Sequence, residues 1–191
     1  KVNSQRLRTG RLTDEDWPRL SYALSRLSQA PIYIDDTPGI SAMELRAKAR
    51  RIKTEHDLGV VFIDYLQLMQ SKKNSDNRHE EIAEITRSLK SLARELSVPV
   101  VALAQLSRAV ESTADCRPRL NHLRESGEIE QSADVVSFIY REEYYNPDTE
   151  RKNIAEIIIA KQRNGPTGTV ELFWHKEYTT FAGMEKYRKA E

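Results

Sequence analysis

The chain has 191 residues, 39% of them hydrophobic and 31% charged, which suits one α/β domain able to bury roughly 70% of its unfolded surface. Thirty basic and 29 acidic side chains leave a formal net charge of +1, which excludes nucleic-acid binding through a uniformly basic face and leaves it to local loops and backbone N–H groups. Cys116 is the only cysteine, so an internal disulfide is excluded, and no apolar stretch is long enough for a membrane span or a secretory signal; the reducing cytoplasm is the expected compartment.

In chain order, the sequence opens at Lys1 without a methionine, in a polar stretch with the look of a helix end, and reads as a piece of a longer protein. Residues 14–27 carry a short helical pattern. Pro31-Ile32-Tyr33-Ile34 reads as a brief strand, and the turn-rich Asp35-Asp36-Thr37-Pro38-Gly39 ends it. Ser41 and Glu44 have capping-box spacing and open a helix whose inner face is marked by Met43, Ala47 and Ile52.

That helix leads to Gly59-Val60-Val61-Phe62-Ile63-Asp64-Tyr65-Leu66-Gln67-Leu68. Four consecutive apolar residues need burial on both faces, as in a parallel sheet, and Asp64 then emerges at the carboxyl edge where such sheets bind ligands. This is the pattern of a Walker B strand, whose acid suits a nucleotide-bound Mg²⁺. Its usual companion is G-x-x-x-x-G-K-[ST], yet no glycine of this chain is followed by lysine, so the chain carries part of a nucleotide site and the phosphate loop is expected upstream.

A polar loop over 70–77 precedes Ile82, Ile85, Leu89, Leu92 and Leu96, whose spacings of three and four predict an amphipathic helix. Val98-Pro99-Val100-Val101-Ala102-Leu103-Ala104-Gln105 follows as a second short apolar run. The right-handed crossover rule sets it parallel to the first strand, so that Asp64 and Gln105 share one sheet edge. Alone, Gln105 is as readily a solvated amide; its pairing with Asp64 favours a functional role.

Residues 107–124 have no clear period, and Arg108, Arg117, Arg119 and Arg124 outnumber Glu111 and Asp115. The segment is either a solvated surface loop or a basic loop facing nucleic-acid phosphates. In the following Leu123-Arg124-Glu125-Ser126-Gly127-Glu128-Ile129-Glu130-Gln131, a glycine at a turn or helix start lets backbone N–H groups approach a phosphate. The last third reads as strands over 135–140, 154–160 and 169–174, expected to extend the sheet as antiparallel strands, with a Gly165-Pro166-Thr167-Gly168 turn before the last. Alternation puts Ile157, Ile159, Lys161 and Arg163 on one face, which makes either a phosphate clamp or an ordinary basic hairpin tip. Tyr144 and Tyr145 read as hairpin surface.

Five segments in order, Ile63-Asp64-Tyr65-Leu66-Gln67-Leu68, Val100-Val101-Ala102-Leu103-Ala104-Gln105-Leu106, Leu123 to Gln131 as above, Phe138-Ile139-Tyr140-Arg141 and Lys161-Gln162-Arg163-Asn164-Gly165-Pro166-Thr167-Gly168-Thr169-Val170, closely resemble the RecA-like motor domain of DnaB-type bacterial replicative helicases. The resemblance covers nearly the whole chain and includes Leu7-Arg8-Thr9-Gly10 and Ile32-Tyr33-Ile34-Asp35-Asp36. It implies an α/β fold, a RecA-like P-loop NTPase core with a central, mostly parallel sheet and antiparallel C-terminal strands. Residues 1–191 are then a partial motor domain, with the N-terminal part of the core, the Walker A lysine, the catalytic glutamate and the collar domain all preceding Lys1.

The implied function is ATP- and Mg²⁺-dependent unwinding by a homohexameric ring that moves along single-stranded DNA, with primase and a helicase loader as partners. By the same resemblance Asp64 holds the Mg²⁺ shell, Gln105 senses the γ-phosphate and couples it to the DNA loops, and Lys161 with Arg163 reaches the γ-phosphate of the adjacent subunit. Arg124, Glu125 and Gly127 match the loop that follows the DNA backbone, and the loop over 70–80 lines the channel as well. Neither loop has the interleaved aromatics of a base-stacking platform, so weak sequence preference is expected. The isolated chain is expected to be inactive. The alternative is a non-catalytic module that keeps the ring and DNA surfaces; a recombinase or clock-type ATPase is not expected to carry both the Arg-Glu-Ser-Gly and Lys-Gln-Arg-Asn-Gly-Pro segments.

Overall fold

A computed structural model describes residues 1–71, 77–123 and 127–184. The described residues of Lys1–Asp36, Ile139–Ile158 and Thr169–Glu191 form one compact unit, and those of Thr37–Phe138 and Ile159–Gly168 a second.

Helix α1 (Ser4–Thr9) is complete in itself. The Asn3 side chain accepts from the N–H groups of Gln5 and Arg6 at its start, and Gly10, with φ 71°, closes it in the left-handed conformation. The opening polar stretch is therefore a capped helix of its own. Helix α2 (Asp16–Ser28) follows, anchored by the buried Asp16 carboxylate, which accepts from the Thr13 N–H and pairs with Arg6 at 2.9 Å. The strand expected over 31–34 does not form: these residues pair with no strand among the described residues, and Ile32 and Ile34 are exposed. A short β-prone run becomes a strand only when a ladder partner takes its backbone groups.

In the second unit, α3 (Ala42–His56) opens with the expected capping box: Ser41 Oγ accepts from the Glu44 N–H at 3.2 Å, and the Glu44 carboxylate accepts from the Ser41 N–H at 2.9 Å. Its inner face differs from expectation. Ala42 and Leu45 pack on the core and Ala49 is buried, whereas Met43 and Ala47 are exposed. The set 42, 45, 49, 52 keeps the three-and-four spacing of one helical stripe, which 43, 47, 52 does not.

Strand β1 (Val61–Ile63) is joined through α4 (Arg78–Leu96) to β2 (Val100–Ala102), and the two strands run parallel with Val61 opposite Val100 and Ile63 opposite Ala102. Ile82, Ile85, Leu89 and Leu92 of α4 are all buried, as their spacing predicts. Ile85 and Leu89 join Ile63, Leu66 and Met69 in one cluster, with Ala42 and Leu45 of α3 against it. Arg46 and Arg50 of α3 both meet Glu95 of α4; the Arg50 hydrogen bond leads the effects that hold the Glu95 carboxyl below its usual range.

Burial of this strand pair on both faces is not what the structure has. Ile63 is buried, but Phe62 is 71% exposed, and Val60, Val101 and Leu103 are exposed with it. The core cluster draws on Ile63 and on both α3 and α4, so those helices cover one face and the alternate side chains point away from it.

Gly39, ahead of α3, has φ 63°, and a Cβ there would run into the side-chain amide of Gln70. Gln70 in turn donates its backbone N–H to the Ile40 carbonyl at 3.3 Å, which holds Gln70 beside the residues that lead into α3. Gly39→Ala is expected to cost about 1–2 kcal/mol, seen as a lower denaturant midpoint at unchanged slope; an unchanged midpoint would contradict this packing.

The remaining elements are α5 (Gly127–Ser132), β3 (Val135–Tyr140), α6 (Glu142–Tyr145), β4 (Ile154–Gln162), β5 (Gly168–His175) and β6 (Thr180–Gly183). Strand β3 alternates cleanly, burying Val136, Phe138 and Tyr140. The five residues between β4 and β5 are too few for a parallel crossover, so these neighbours form a hairpin. Strand β6, which the sequence pattern did not reveal, pairs antiparallel with β5. Among the described residues the C-terminal strands form a four-stranded sheet of their own, in the order β3-β4-β5-β6, and do not extend the two-stranded β1-β2 sheet. Among the described residues β2 and β3 share no ladder; β2 pairs with β1 and β3 with β4.

Tyr144 and Tyr145 lie on α6, not on a hairpin. Tyr145 stacks on Tyr140 with ring centroids 6.0 Å apart, and Arg141 lies over the Trp174 ring at 4.8 Å. Close by in sequence, Arg151 meets Glu156 at 3.2 Å and Glu171 at 2.6 Å. The Glu171 hydrogen bond is the largest of the effects that raise the Arg151 pKa above its ordinary value, so this cation keeps its charge throughout.

Candidate functional site

Asp64 follows the last residue of β1 and is exposed; the peptide that joins it to Tyr65 is cis. The backbone around it is held by a single residue of the neighbouring strand exit. The Leu103 N–H donates to the Ile63 carbonyl at 2.9 Å, and the Leu103 carbonyl accepts from the Leu66 N–H at 2.9 Å. The turn that displays the Asp64 carboxylate is thus pinned on both sides.

Gln105 lies two residues beyond Leu103, also exposed, so both side chains leave the carboxyl edge of one parallel strand pair. A side chain to which the sequence pattern assigns no role holds it there. Gln67 Oε1 accepts from the Gln105 N–H at 3.2 Å, and Gln67 Nε2 donates to the Gln105 carbonyl at 3.4 Å. The Gln67 carbonyl in turn accepts from Arg78 Nη2 at 2.6 Å, while Arg78 Nη1 meets Glu81 at 2.5 Å. The only signal in the sequence for Gln67 is an amide inside an otherwise apolar strand exit.

Lys161 and Arg163 stand together at the end of β4, and both are engaged within the chain. Lys161 Nζ donates to the Glu130 carbonyl and, at 3.3 Å, to that of Gln131. Arg163 donates through Nη2 to the Gln131 carbonyl at 2.6 Å and through Nε to the Ala133 carbonyl at 3.5 Å. Two cations therefore cover carbonyls at the end of α5, where the helix leaves its last acceptors unpaired. The Asp134 carboxylate lies 3.4 Å from Arg163 Nε and also meets Lys90.

The Lys90 hydrogen bond is the largest of the effects that depress the Asp134 pKa below its ordinary 3.8; the charges of Lys90 and Arg163 add to it. A depressed carboxylate contributes stability above its unfolded value and loses it as pH falls through the lower folded value. The Asp134 tether is accordingly intact at neutral pH. Beside it, a depression of about 450 Å³ is lined by Arg87, Lys90 and Arg94 of α4, Glu128 and Gln131 of α5, and Arg163.

Of the DNA-loop residues, Arg124 and Glu125 lie outside the described residues. Gly127 opens α5, and a Cβ there would meet nothing within 4 Å among the described residues. The 107–123 segment is more ordered than its sequence suggests. It makes two 3-10 turns over Arg108–Ser112 and Leu120–His122, buries Val110 and His122, and closes on itself where the Ser107 N–H donates to the His122 carbonyl at 2.9 Å. Arg119 is paired with Asp115 at 2.7 Å.

This arrangement has close counterparts. The family model described as "DnaB-like helicase C terminal domain" matches residues 1–183. The chain belongs to that family. It is 59% identical over 186 residues to the replicative DNA helicase DnaC of Bacillus subtilis strain 168, a match that takes in 97% of this chain and 41% of that protein. Replicative DNA helicase DnaB of Geobacillus stearothermophilus matches with the same identity and coverage. The chain thus spans about two fifths of the length of the curated relatives it matches.

Among solved structures, an ATPase domain superposes with a TM-score of 0.91 at 45% identity, over 96% of this chain and 66% of that one. A DnaB-like replicative helicase, described with its interactions with primase, gives the same score and identity over 96% of this chain and 45% of its own. At that likeness the α/β fold is that of the DnaB ATPase domains, with its parallel strand pair and antiparallel C-terminal strands.

Proposed function

We propose that this chain is the carboxyl-terminal part of the motor of a replicative DNA helicase, a hexameric ring that hydrolyses ATP at its subunit interfaces and moves along single-stranded DNA. The observation that carries this reading is the common edge from which Asp64 and Gln105 emerge, in a chain of the DnaB-like family. Asp64 fits Mg²⁺: one exposed carboxylate at a strand end suits a cation that keeps much of its water and takes one or two protein oxygens besides the phosphates. No group of three or more His, Cys, Asp or Glu that could hold a metal occurs among the described residues. Held by Asp64, Mg²⁺ would supply charge neutralisation to the phosphates of a bound nucleotide.

In this reading Gln105 meets the γ-phosphate, and Lys161 with Arg163 gives up its α5 carbonyls to reach the γ-phosphate held by the next subunit. Phosphoryl transfer depends on positioned positive charge more than on covalent chemistry, which is what such a pair supplies. No glycine–lysine pair occurs in this sequence, so the phosphate loop comes from elsewhere in the longer protein and this chain by itself does not turn over ATP. Among the described residues no helix is long and apolar enough to cross a membrane. We assign the activity to the cytoplasm, with primase and a loader as partners.

Arg124, Glu125 and Gly127 are the DNA-backbone contacts of this reading, and Arg124 is the one cation among them. Arg124→Ala in the full-length protein is expected to weaken single-stranded DNA binding and to flatten its salt dependence by about 0.7 in log–log slope for each phosphate no longer neutralised. Anisotropy across a salt series checks this. An unchanged slope with an altered preference between poly-dT and mixed-sequence strands would mean that the loop reads bases. The proposal as a whole is tested by ATP turnover of the full-length protein with and without single-stranded DNA. DNA binding without turnover would make the chain a non-catalytic ring and DNA module.

A further inference from the structure

We propose that Gln67 is a positioning residue that joins the Gln105 backbone to the start of α4, and so carries the state of the γ-phosphate site to the first turn of that helix. The inference rests on the sensor reading of Gln105 given above. Beyond Ala102 the regular β1-β2 pairing ends, yet the segment that follows is still held in register. Leu103 bonds Ile63 and Leu66 through its backbone, and two residues later Gln105 bonds the Gln67 side chain through both its N–H and its carbonyl. The primary amide presents one acceptor and one donor side by side, which is the pattern a neighbouring strand would offer. One amide orientation alone satisfies both bonds.

The other end of the link is as definite. The Gln67 carbonyl accepts from Arg78, the first residue of α4, whose second guanidinium nitrogen is fixed by Glu81 one turn on. Asn77 caps this helix through its side chain, which accepts from the His79 N–H at 3.1 Å. A displacement of Gln105 toward or away from a phosphate therefore pulls on Gln67, and Gln67 pulls on the first turn of α4. Direct contact between Gln67 and nucleotide is not required.

The test uses the full-length protein and three variants. Gln67→Leu keeps the volume and removes both amide bonds. It is expected to leave nucleotide binding, single-stranded DNA binding and the melting temperature near parental, and to reduce stimulation of ATP hydrolysis by single-stranded DNA by about tenfold, the scale of two modest hydrogen bonds. Gln67→Glu supplies a pH readout that a merely structural role would not move. Its carboxylate repels the Gln105 carbonyl when ionised but mimics the amide when protonated, so stimulation should begin to recover relative to the parent as pH falls from about 7 to about 5, toward the ordinary glutamate pKa of about 4.3. Gln105→Ala is the control for the underlying reading.

If Gln105→Ala loses stimulation while Gln67→Leu keeps it, the positioning role is overturned and the sensor reading stands. If Gln105→Ala is itself fully stimulated, the sensor reading fails and this inference with it. Loss of stimulation in Gln67→Leu that only parallels a fall in melting temperature, without the pH recovery of Gln67→Glu, would reduce Gln67 to a packing residue and also overturn the proposal.

Discussion

Asp64→Asn, placed in a full-length protein that carries this chain, is expected to lower ATP turnover by about 10²- to 10³-fold, the several kcal/mol that a metal-held charge supplies to a phosphoryl transition state. The substitution keeps the shape of the side chain and removes its charge. Asp64 is exposed at the strand end, and the turn around it is held by the Leu103 backbone, so the fold does not depend on the carboxylate. Melting temperature and ring assembly should therefore stay near parental. A variant that hydrolyses ATP at the normal rate would remove Asp64 from the metal site, whatever the family resemblance says.

A larger loss is expected for Arg163→Ala. An arginine delivered in trans to a γ-phosphate contributes about 10³- to 10⁵-fold in turnover, and the deletion leaves nucleotide binding to the adjacent subunit. Some structural consequence must be separated out, because Arg163 also bonds the carbonyls of Gln131 and Ala133. Lys161 still covers Gln131 and Lys90 still holds Asp134, so α5 retains part of its anchoring. Arg163→Lys refines the reading: it keeps the charge but loses the planar fork, and should recover little turnover if bidentate phosphate contact is what matters. Full activity in Arg163→Ala would return the Lys161–Arg163 pair to a structural role at the end of α5, whereas full activity in Arg163→Lys alone would mean that the charge and not the planar fork is what the site needs.

What the sequence made legible follows the range of the interactions concerned. The apolar spacing of Ile82, Ile85, Leu89 and Leu92, the Ser41–Glu44 cap and the alternation of Val136, Phe138 and Tyr140 all arise within a few residues, and each was realised. The parallel placement of Asp64 and Gln105 needed one further rule, the hand of the crossover, and the structure has the two strands paired that way. Failures came where a distant partner decides. Ile32 and Ile34 have β-branched character and no ladder to join among the described residues; Met43 carries an apolar side chain on the wrong face of α3 because Ala42 and Leu45 meet the core first.

The site divides in the same way. A carboxylate after an apolar run is visible locally, so Asp64 stood out. Gln67 could not, since its partner Gln105 is 38 residues away, and the carbonyls that hold Lys161 and Arg163 are about 30 residues back in the chain. Their side-by-side position was readable from strand alternation. Their engagement with α5 was not, because backbone acceptors at a helix end carry no residue-type signature.

Mixed rings of Arg163→Ala and Asp64→Asn subunits test the central claim most directly, namely that Asp64 of one subunit and Arg163 of its neighbour complete one site. Each variant alone is expected to be nearly inactive. In a mixture, some interfaces join the intact Asp64 of an Arg163→Ala subunit to the intact Arg163 of an Asp64→Asn subunit, and DNA-stimulated turnover should rise well above that of either parent ring. Native mass spectrometry of the same samples verifies that subunits have exchanged. If mixed hexamers are present and turnover stays at the level of the separate variants, the two groups do not complement across an interface, and the account of a shared site is contradicted.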